Sequence, residues 1–393
     1  MKTNDLDVFI SCGESSGDVI AADFLSPLQN VIQKQNWAGV IGSELHALGV
    51  KPLRGLEGLQ VMGFTAVLRA LPLIKAHMKW TLAHILELNP KVVLLVDYPG
   101  FHLSLAKRLR KQGFSGKIIQ YVCPSVWAWK KYRIKTLQAY MDEVWGILPF
   151  EAQALESSGI QYIYTGNPSY RLAQRHRLEL GEHKRECIGL FPGSRPQEIR
   201  THLPLLIETA EAYERKYPGQ KWLLSIASEE ALRWIQPLIA SSCLPLTLIK
   251  PEDRWIGMQR MKVALAVSGT VCLELALHRV PTLAIYACGA VNYFLAKYIF
   301  RLKLSYFTLP NLILNRLAFP EIIGATIHSL NLLKELELMF DPLKMSQIQQ
   351  AICELEAKLA YNPQTGACAL EHLLDWTKSS HACNSSSHQG GSL

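Results

Sequence analysis

DVFISCGESSGDVIAADFL, residues 7–25, decides how the rest of the chain is read. Asp7 to Ser11 is apolar and β-branched, which predicts a strand. CGESSGD follows as a turn, and a helical pattern runs on from Ala21 to Val31. Gly13 and Gly17 allow a close backbone approach, and the helix start offers free N–H groups to an anion or a sugar oxygen. Gly13, Glu14, Ser15, Gly17 and Asp18 are therefore candidate ligand contacts. A dinucleotide fingerprint would need a third glycine and an acidic residue roughly 20 positions on. Neither is clear, so NAD is not expected. The plainer reading is a strand-to-helix turn capped by Ser15 or Ser16.

The same alternation spreads outward. Strands are expected at 37–41, 92–96, 117–122 and 144–148, with a helix at 103–111. Runs as apolar as VVLLV suit a parallel sheet covered on both faces. RLAQRHRLELGEHKREC, 171–187, is polar and reads as a linker. The alternation then restarts, with strands expected at 187–191, 222–226, 246–249, 263–267 and 282–286. Helices are expected at 201–215, around Ala231, at 255–261 and at 271–277. At 393 residues the chain exceeds one ordinary core. The expected fold class is α/β, with two doubly wound Rossmann-like domains facing across a cleft. Their extents are 1–170 and 185–355. A C-terminal helix, 356–378, is expected to pack back on the first domain, and a Ser/Gly-rich tail, 379–393, to be disordered. Ligands of such folds sit beyond the strand C-termini, so the informative residues should follow strands.

Apolar residues make up 49% and charged residues 19%, a globular balance, and the formal charge of +8 suits an anionic partner. Nine scattered cysteines include no CxxC pair, which predicts free thiols in a reducing compartment. The N-terminus lacks a signal-peptide pattern, and no apolar run reaches the ~18 residues of a membrane span. A cytoplasmic protein with at most peripheral membrane contact is expected.

Three further strand–turn–helix segments bear chemistry. LFPGSRPQEI, 190–199, places Gly193, Ser194 and Arg195 at a helix start, where a guanidinium can grip phosphate. Its bland reading is a surface pair between Arg195 and Glu198. AVSGTVCLELALHRVP, 266–281, opens a helix at Ser268, Gly269 and Thr270, with Glu274 one turn in. That carboxylate can accept both hydroxyls of a ribose, or merely balance the helix dipole. LLVDYPGFHLSLAKRLRK, 94–111, ends a strand on Asp97, a general-base candidate that is also good turn chemistry.

Between Asp97 and Asp142 there is no acidic residue, while Lys107, Arg108, Arg110, Lys111, Lys117, Lys130, Lys131, Arg133 and Lys135 all occur. YVCPSVWAWKKYRIK, 121–135, interleaves Trp127 and Trp129 with this basic run. The combination suits phosphate-bearing amphiphiles or single-stranded nucleic acid. VMGFTAVLRALPLIKAHMKW, 61–80, is apolar with cations on its flank. Met62, Val67, Leu68, Leu71, Leu73 and Ile74 read as core, or as an acyl-chain or membrane patch, and Pro72 is expected to kink or end a turn.

With GESSGD, VDYPGF, PSVWAWKKYRIK, ILPFE (147–151), TGNP (165–168), PGSRPQEI, SGTVCLELAL and LPNLILNR (309–316) in this order, the chain resembles the lipid-A-disaccharide synthases, inverting glycosyltransferases of the two-Rossmann-domain (GT-B) type. The resemblance implies transfer of 2,3-diacylglucosamine from its UDP donor to 2,3-diacylglucosamine 1-phosphate, giving a β-1′→6 disaccharide and UDP. It implies an essential Asp at Asp97 and an essential Arg at Arg195. The nucleotide would lie at Gly193–Arg195, Ser268–Thr270, Glu274 and Asn311, and the sugars at the 13–18 turn, Ser125 and Asn167. No cofactor or metal is implied, nor nucleic acid. Peripheral contact with an anionic inner membrane is implied, and a homodimer is compatible with it. The chain departs from the pattern at Gly100 (Asp expected), His102 (Asn), Asn167 (His) and Ser15–Ser16, which leaves acyl and acceptor preference open. Rival readings are another UDP-sugar transferase, a UDP-sugar epimerase, an RNA-binding protein and a non-catalytic lipid binder.

Overall fold

The computed structural model describes residues 6–56, 64–128, 130–180, 184–287, 305–360 and 363–378. Two compact units divide the chain: Met1–Pro168 together with Tyr361–Leu393, and Ser169–Ala360.

The first unit runs β1 (Val8–Cys12), α1 (Ser15–Leu25), α2 (Gln29–Ile32), β2 (Trp37–Val40), α3 (Ser43–Ala47), β3 (Lys51–Arg54), α4 (Phe64–Leu88), β4 (Val92–Val96) and α5 (Pro99–Lys111). It continues with β5 (Lys117–Tyr121), α6 (Arg133–Tyr140), β6 (Glu143–Gly146), α7 (Glu151–Leu155) and β7 (Gln161–Tyr164). The second unit holds α8, whose span Pro168–Leu180 begins at the boundary, then β8 (Cys187–Phe191), α9 (Pro196–Lys216), β9 (Lys221–Ser225), α10 (Glu229–Ile239), β10 (Leu246–Ile249) and α11 (Arg254–Gln259). After these come β11 (Met261–Val267), α12 (Thr270–Leu277), β12 (Thr282–Ala287), α13 (Leu309–Leu314), β13 (Glu321–Gly324), α14 (Ser329–Leu338) and α15 (Pro342–Leu359). The last helix, α16 (Pro363–Lys378), returns to the first unit. There His372 Nδ1 meets the buried Glu143 carboxylate at 2.8 Å, and Ala369 and Leu373 are fully enclosed.

Both sheets are parallel. The first has the order β3-β2-β1-β4-β5-β6-β7 and the second β10-β9-β8-β11-β12-β13. Each order reverses direction beside its first strand, between β1 and β4 in one sheet and between β8 and β11 in the other. A crevice at the strand C-termini opens at such a point. The central strands are almost wholly apolar because helices cover both faces, with Ser11 in β1 and Lys262 in β11 as exceptions. Val8, Phe9, Ile10 and all of Val92–Val96 have no solvent exposure, and neither do Ile188, Leu190 and Val263–Ala266.

Several sequence expectations change. The segment 171–187 is not a linker at its start: α8 carries the chain through Leu180, with Ala173 buried. Pro72 does not end its helix, which runs to Leu88. The buried second half, His77, Met78, Thr81 and Ile85, supplies the packing that offsets the lost backbone bond. α5 starts at Pro99 rather than at residue 103, with proline in the first helical turn, where a missing N–H costs nothing. The outer strands β3, β7 and β13 were not expected, because edge strands carry too little apolar pattern to stand out. Among the expected contacts, Met62 and Trp129 lie outside the described residues, as does the tail 379–393. Val67 and Leu68 lie on α4 where the backbone alone is described. Among the described residues no helix is long and apolar enough to cross a membrane.

Candidate functional site

Two places carry chemistry, one at the switch point of each sheet. In the second unit a cavity of about 490 Å³ opens beyond β8, β9 and β11. That is the size of a small-molecule site. Phe191–Arg195 and Glu198 form one wall, Ser225, Ala227 and Arg254 another, and Val267–Val271 with Glu274 the third.

The turn after β8 is built around Gly193, which has φ +98°. A Cβ there would lie 2.7 Å from a Glu198 carboxylate oxygen, so only glycine fits both the space and the backbone. Glu198 accepts the Ser194 N–H at 3.1 Å and the Arg195 N–H at 3.3 Å, and its other oxygen pairs with Arg195 Nη1 at 3.1 Å. The pair foreseen as the bland alternative is therefore present. The Arg195 side chain is nonetheless 59% exposed, and exposed ion pairs contribute about 0–1 kcal/mol, so an incoming dianion displaces this one at little cost.

On the third wall, the Ser268 N–H is already committed to the Ile285 carbonyl at 2.8 Å. The donors left at the start of α12 are those of Gly269, Thr270 and Val271, which have no acceptor among the described residues. Their N–H groups and the helix dipole favour an anion here. One turn on, Glu274 Oε2 is buried without a hydrogen-bond partner. Arg254 Nη2 stands 3.5 Å from it, an ion pair without a closed hydrogen bond. Burial raises the Glu274 pKa, and Arg254 opposes the rise. Sequence reading missed Arg254, although Arg-Trp at the start of a short helix was a signal. Its guanidinium lies over the Trp255 ring at 4.0 Å, and Trp255 stacks on His278 at 5.1 Å.

Asn311, assigned to the nucleotide by resemblance, does not line this cavity. It is fully buried, and its amide is consumed internally: Nδ2 donates to Phe319 O and Glu321 Oε1, while Oδ1 accepts from the Ala318 and Phe319 N–H groups, all within 2.7–2.9 Å. Its work is to tie α13 to β13.

In the first unit, the turns after β1 and β4 face each other. Gly13 is required by contact, since a Cβ would fall 2.3 Å from the Tyr98 ring. Glu14 caps α1 in extended backbone, and Ser15 is exposed beside it. Asp18, by contrast, is spent on the fold: buried, it accepts the Gly42 N–H at 2.7 Å and the Glu44 N–H at 2.9 Å. Gly17 packs against Val96. Asp97 closes β4 with its carboxyl pKa raised by burial; the Tyr98 N–H partly offsets this, and Glu14 adds to it. A carboxylate with a raised pKa at a strand end has the properties of a general base.

Further along the same edge, Ser125 is exposed and Trp127 packs edge-on against Phe150 at 5.0 Å. Beneath them lies Glu151, another residue that sequence reading did not single out. It accepts the Ile147 and Leu148 N–H groups at 3.0 Å each, and burial pushes its pKa to about 7. Asn167 is buried and donates to Ile147 O at 3.1 Å. On α4, Leu71 and Leu73 are 38% and 42% exposed, while Ile74 is packed against the core.

Two doubly wound domains, each with polar groups gathered at its switch point, place the chain in the GT-B class of fold. The S. aureus MnaA–UDP complex superposes with a TM-score of 0.61 at 12% identity, over 94% of this chain and 96% of that one. The UDP-GlcNAc 2-epimerase of Neisseria meningitidis bound to UDP-GlcNAc gives 0.56 at 14%, over 94% and 99%. At such identity these likenesses show the fold alone. The sequence goes further: the lipid-A-disaccharide synthetase family model matches residues 8–369, and the chain belongs to that family. A lipid-A-disaccharide synthase of Chlamydia trachomatis serovar D is 35% identical over 324 residues, 80% of this chain and 53% of the relative. One from Nitrosococcus oceani is 30% identical over 370 residues, 91% and 93% respectively. The chain thus spans about half the length of the chlamydial relatives it matches, and nearly all of the second.

Proposed function

We propose that this protein is an inverting glycosyltransferase that moves 2,3-diacylglucosamine from UDP to the 6-hydroxyl of 2,3-diacylglucosamine 1-phosphate. The observation that carries the reading is the second-unit cavity. Its lining offers Arg195 and the bare α12 N–H groups for a diphosphate, and Glu274, whose Oε2 has no hydrogen bond although Arg254 stands 3.5 Å away, for a ribose diol. The curated relatives' names, lipid-A-disaccharide synthase, support a disaccharide-forming transfer.

In this reading the second unit holds the donor nucleotide and the first unit the acceptor. Asp97 removes the proton from the acceptor hydroxyl as that oxygen bonds to the anomeric carbon and the bond to UDP breaks. Attack from the face opposite the leaving group inverts the configuration. Negative charge grows on the departing diphosphate, where Arg195 and the start of α12 are preorganised to receive it, an electrostatic contribution of several kcal/mol in comparable sites. The acyl chains require a lipid surface. The exposed Leu71 and Leu73 beside Lys75, together with the basic stretch from Lys130 to Lys135, suit a peripheral docking face on anionic lipid. The protein would then work on the cytoplasmic side of the inner membrane.

The deciding experiment is mass spectrometry of products from the purified protein given UDP-2,3-diacylglucosamine and the 1-phosphate acceptor. The β-1′→6 disaccharide and UDP in equal amounts are expected. Epimerised donor, or free UDP without disaccharide, would overturn the proposal. Co-sedimentation with anionic liposomes tests the docking face, and equal recovery without lipid removes that part.

A further inference from the structure

The end of β4 adopts a backbone that L-residues enter reluctantly. Asp97 has φ +51° and Tyr98 φ +45°, two consecutive left-handed residues and neither a glycine. Such residues are strained and persist only where their surroundings over-determine them. Here the Asp97 N–H donates to Tyr121 O at 2.8 Å. The Asp97 carbonyl accepts from Gln120 Nε2 at 3.1 Å and from His102 Nδ1 at 2.6 Å. Gln120 divides its amide among three carbonyls at 3.1–3.3 Å, so its hold on Asp97 is shared. The His102 nitrogen has a single partner.

A carbonyl only accepts, so the proton sits on Nδ1. Nε2 lies 3.0 Å from Ser11 Oγ, and both side chains are buried. Burial holds the imidazole pKa down at about 4, against the pull of the Asp97 carbonyl, so the ring is neutral and Nε2 accepts the Ser11 hydroxyl. One tautomer satisfies both nitrogens. The relay from Ser11 through His102 to the Asp97 carbonyl joins β1, α5 and the end of β4.

We propose that His102 is a positioning residue for Asp97, fixing the left-handed turn that aims the carboxylate while touching only its main-chain carbonyl. The inference rests on the reading of Asp97 as the base. The competing account is a satisfied core histidine whose loss costs stability and nothing else.

The experiment compares H102L, H102N, D97N and the double variant D97N/H102L in full-length protein, following disaccharide formation and checking folding by circular dichroism. Leu removes the Nδ1 donor, whereas Asn keeps an N–H at similar reach. H102L should lower kcat on the order of 10²-fold, the effect of a misaimed catalytic group, with KM for both substrates within a few-fold. H102N should recover most of that loss. Because His102 acts through Asp97, adding H102L to D97N should cost nothing further, a coupling that a purely structural role would not give. Should H102L fail to fold, S11A, which removes the Nε2 partner that holds the ring against the Asp97 carbonyl, should still lower kcat several-fold at unchanged KM. The proposal is overturned if folded H102L retains wild-type kcat, if its effect adds fully to that of D97N, or if S11A alters only stability. D97N with normal activity would instead sink the base assignment itself.

Discussion

Replacing Glu274 by Gln tests the cavity most directly. Glu274 Oε2 is buried with no hydrogen-bond partner, and its neighbouring charge, Arg254 Nη2, is 3.5 Å away. A ribose diol would give this carboxylate two charge-assisted hydrogen bonds, worth about 1.5–3 kcal/mol each. Gln retains one acceptor oxygen without the charge, so about one such bond is lost, a drop of roughly 10- to 100-fold in UDP affinity. The stability change should run the other way. Burial raises the folded-state pKa above the ordinary value of 4.5, so the native chain binds this proton more tightly than the unfolded chain. The associated stability is present below pH 4.5 and lost as pH rises through the folded pKa. E274Q should therefore melt no lower than wild type at pH 8 while binding UDP far less well. Calorimetric titration with UDP and 2′-deoxy-UDP gives the readout. Wild type should prefer UDP about tenfold, the worth of one such bond, and E274Q should bind the two almost alike. If E274Q binds UDP within threefold of wild type, or wild type does not distinguish the two ligands, the diol assignment is wrong.

Asp97→Asn should lower kcat about 10²- to 10⁴-fold with an unchanged circular dichroism spectrum, and near-normal UDP release in the presence of acceptor would exclude the base role. Glu151 has its pKa raised by burial from 4.5 to about 7, a difference worth on the order of 3 kcal/mol. Wild-type stability should fall as pH rises from 4.5 through 7, and E151Q should flatten that slope; denaturant melts at pH 5 and pH 8 would show it, and parallel slopes would refute it. Asn311→Ala removes four internal hydrogen bonds and should cost about 2–4 kcal/mol of stability. Folded N311A should bind UDP as wild type does, and a selective loss of UDP binding would return Asn311 to the nucleotide site.

The sequence by itself determined the alternation of strand and helix, the parallel sheets and the turns that matter. VVLLV, short and β-branched, suits a strand in a sheet covered on both faces, and glycine and proline punctuate the turns because backbone sterics leave few alternatives there. Both properties are local, so they are legible without coordinates. Which polar groups remain available was decided only in three dimensions. Asp18 and the Ser268 N–H look in sequence like ligand contacts, and the family resemblance adds Asn311, yet each bonds a partner that folding brings to it: Gly42 and Glu44 for Asp18, Ile285 for Ser268, and Phe319 and Glu321 for Asn311. Arg254 and Glu151 look ordinary in sequence and acquire their character from burial and from neighbours on other elements. Hydrogen-bond capacity belongs to a residue type, but whether it is spent is settled by tertiary neighbours that no sequence window contains.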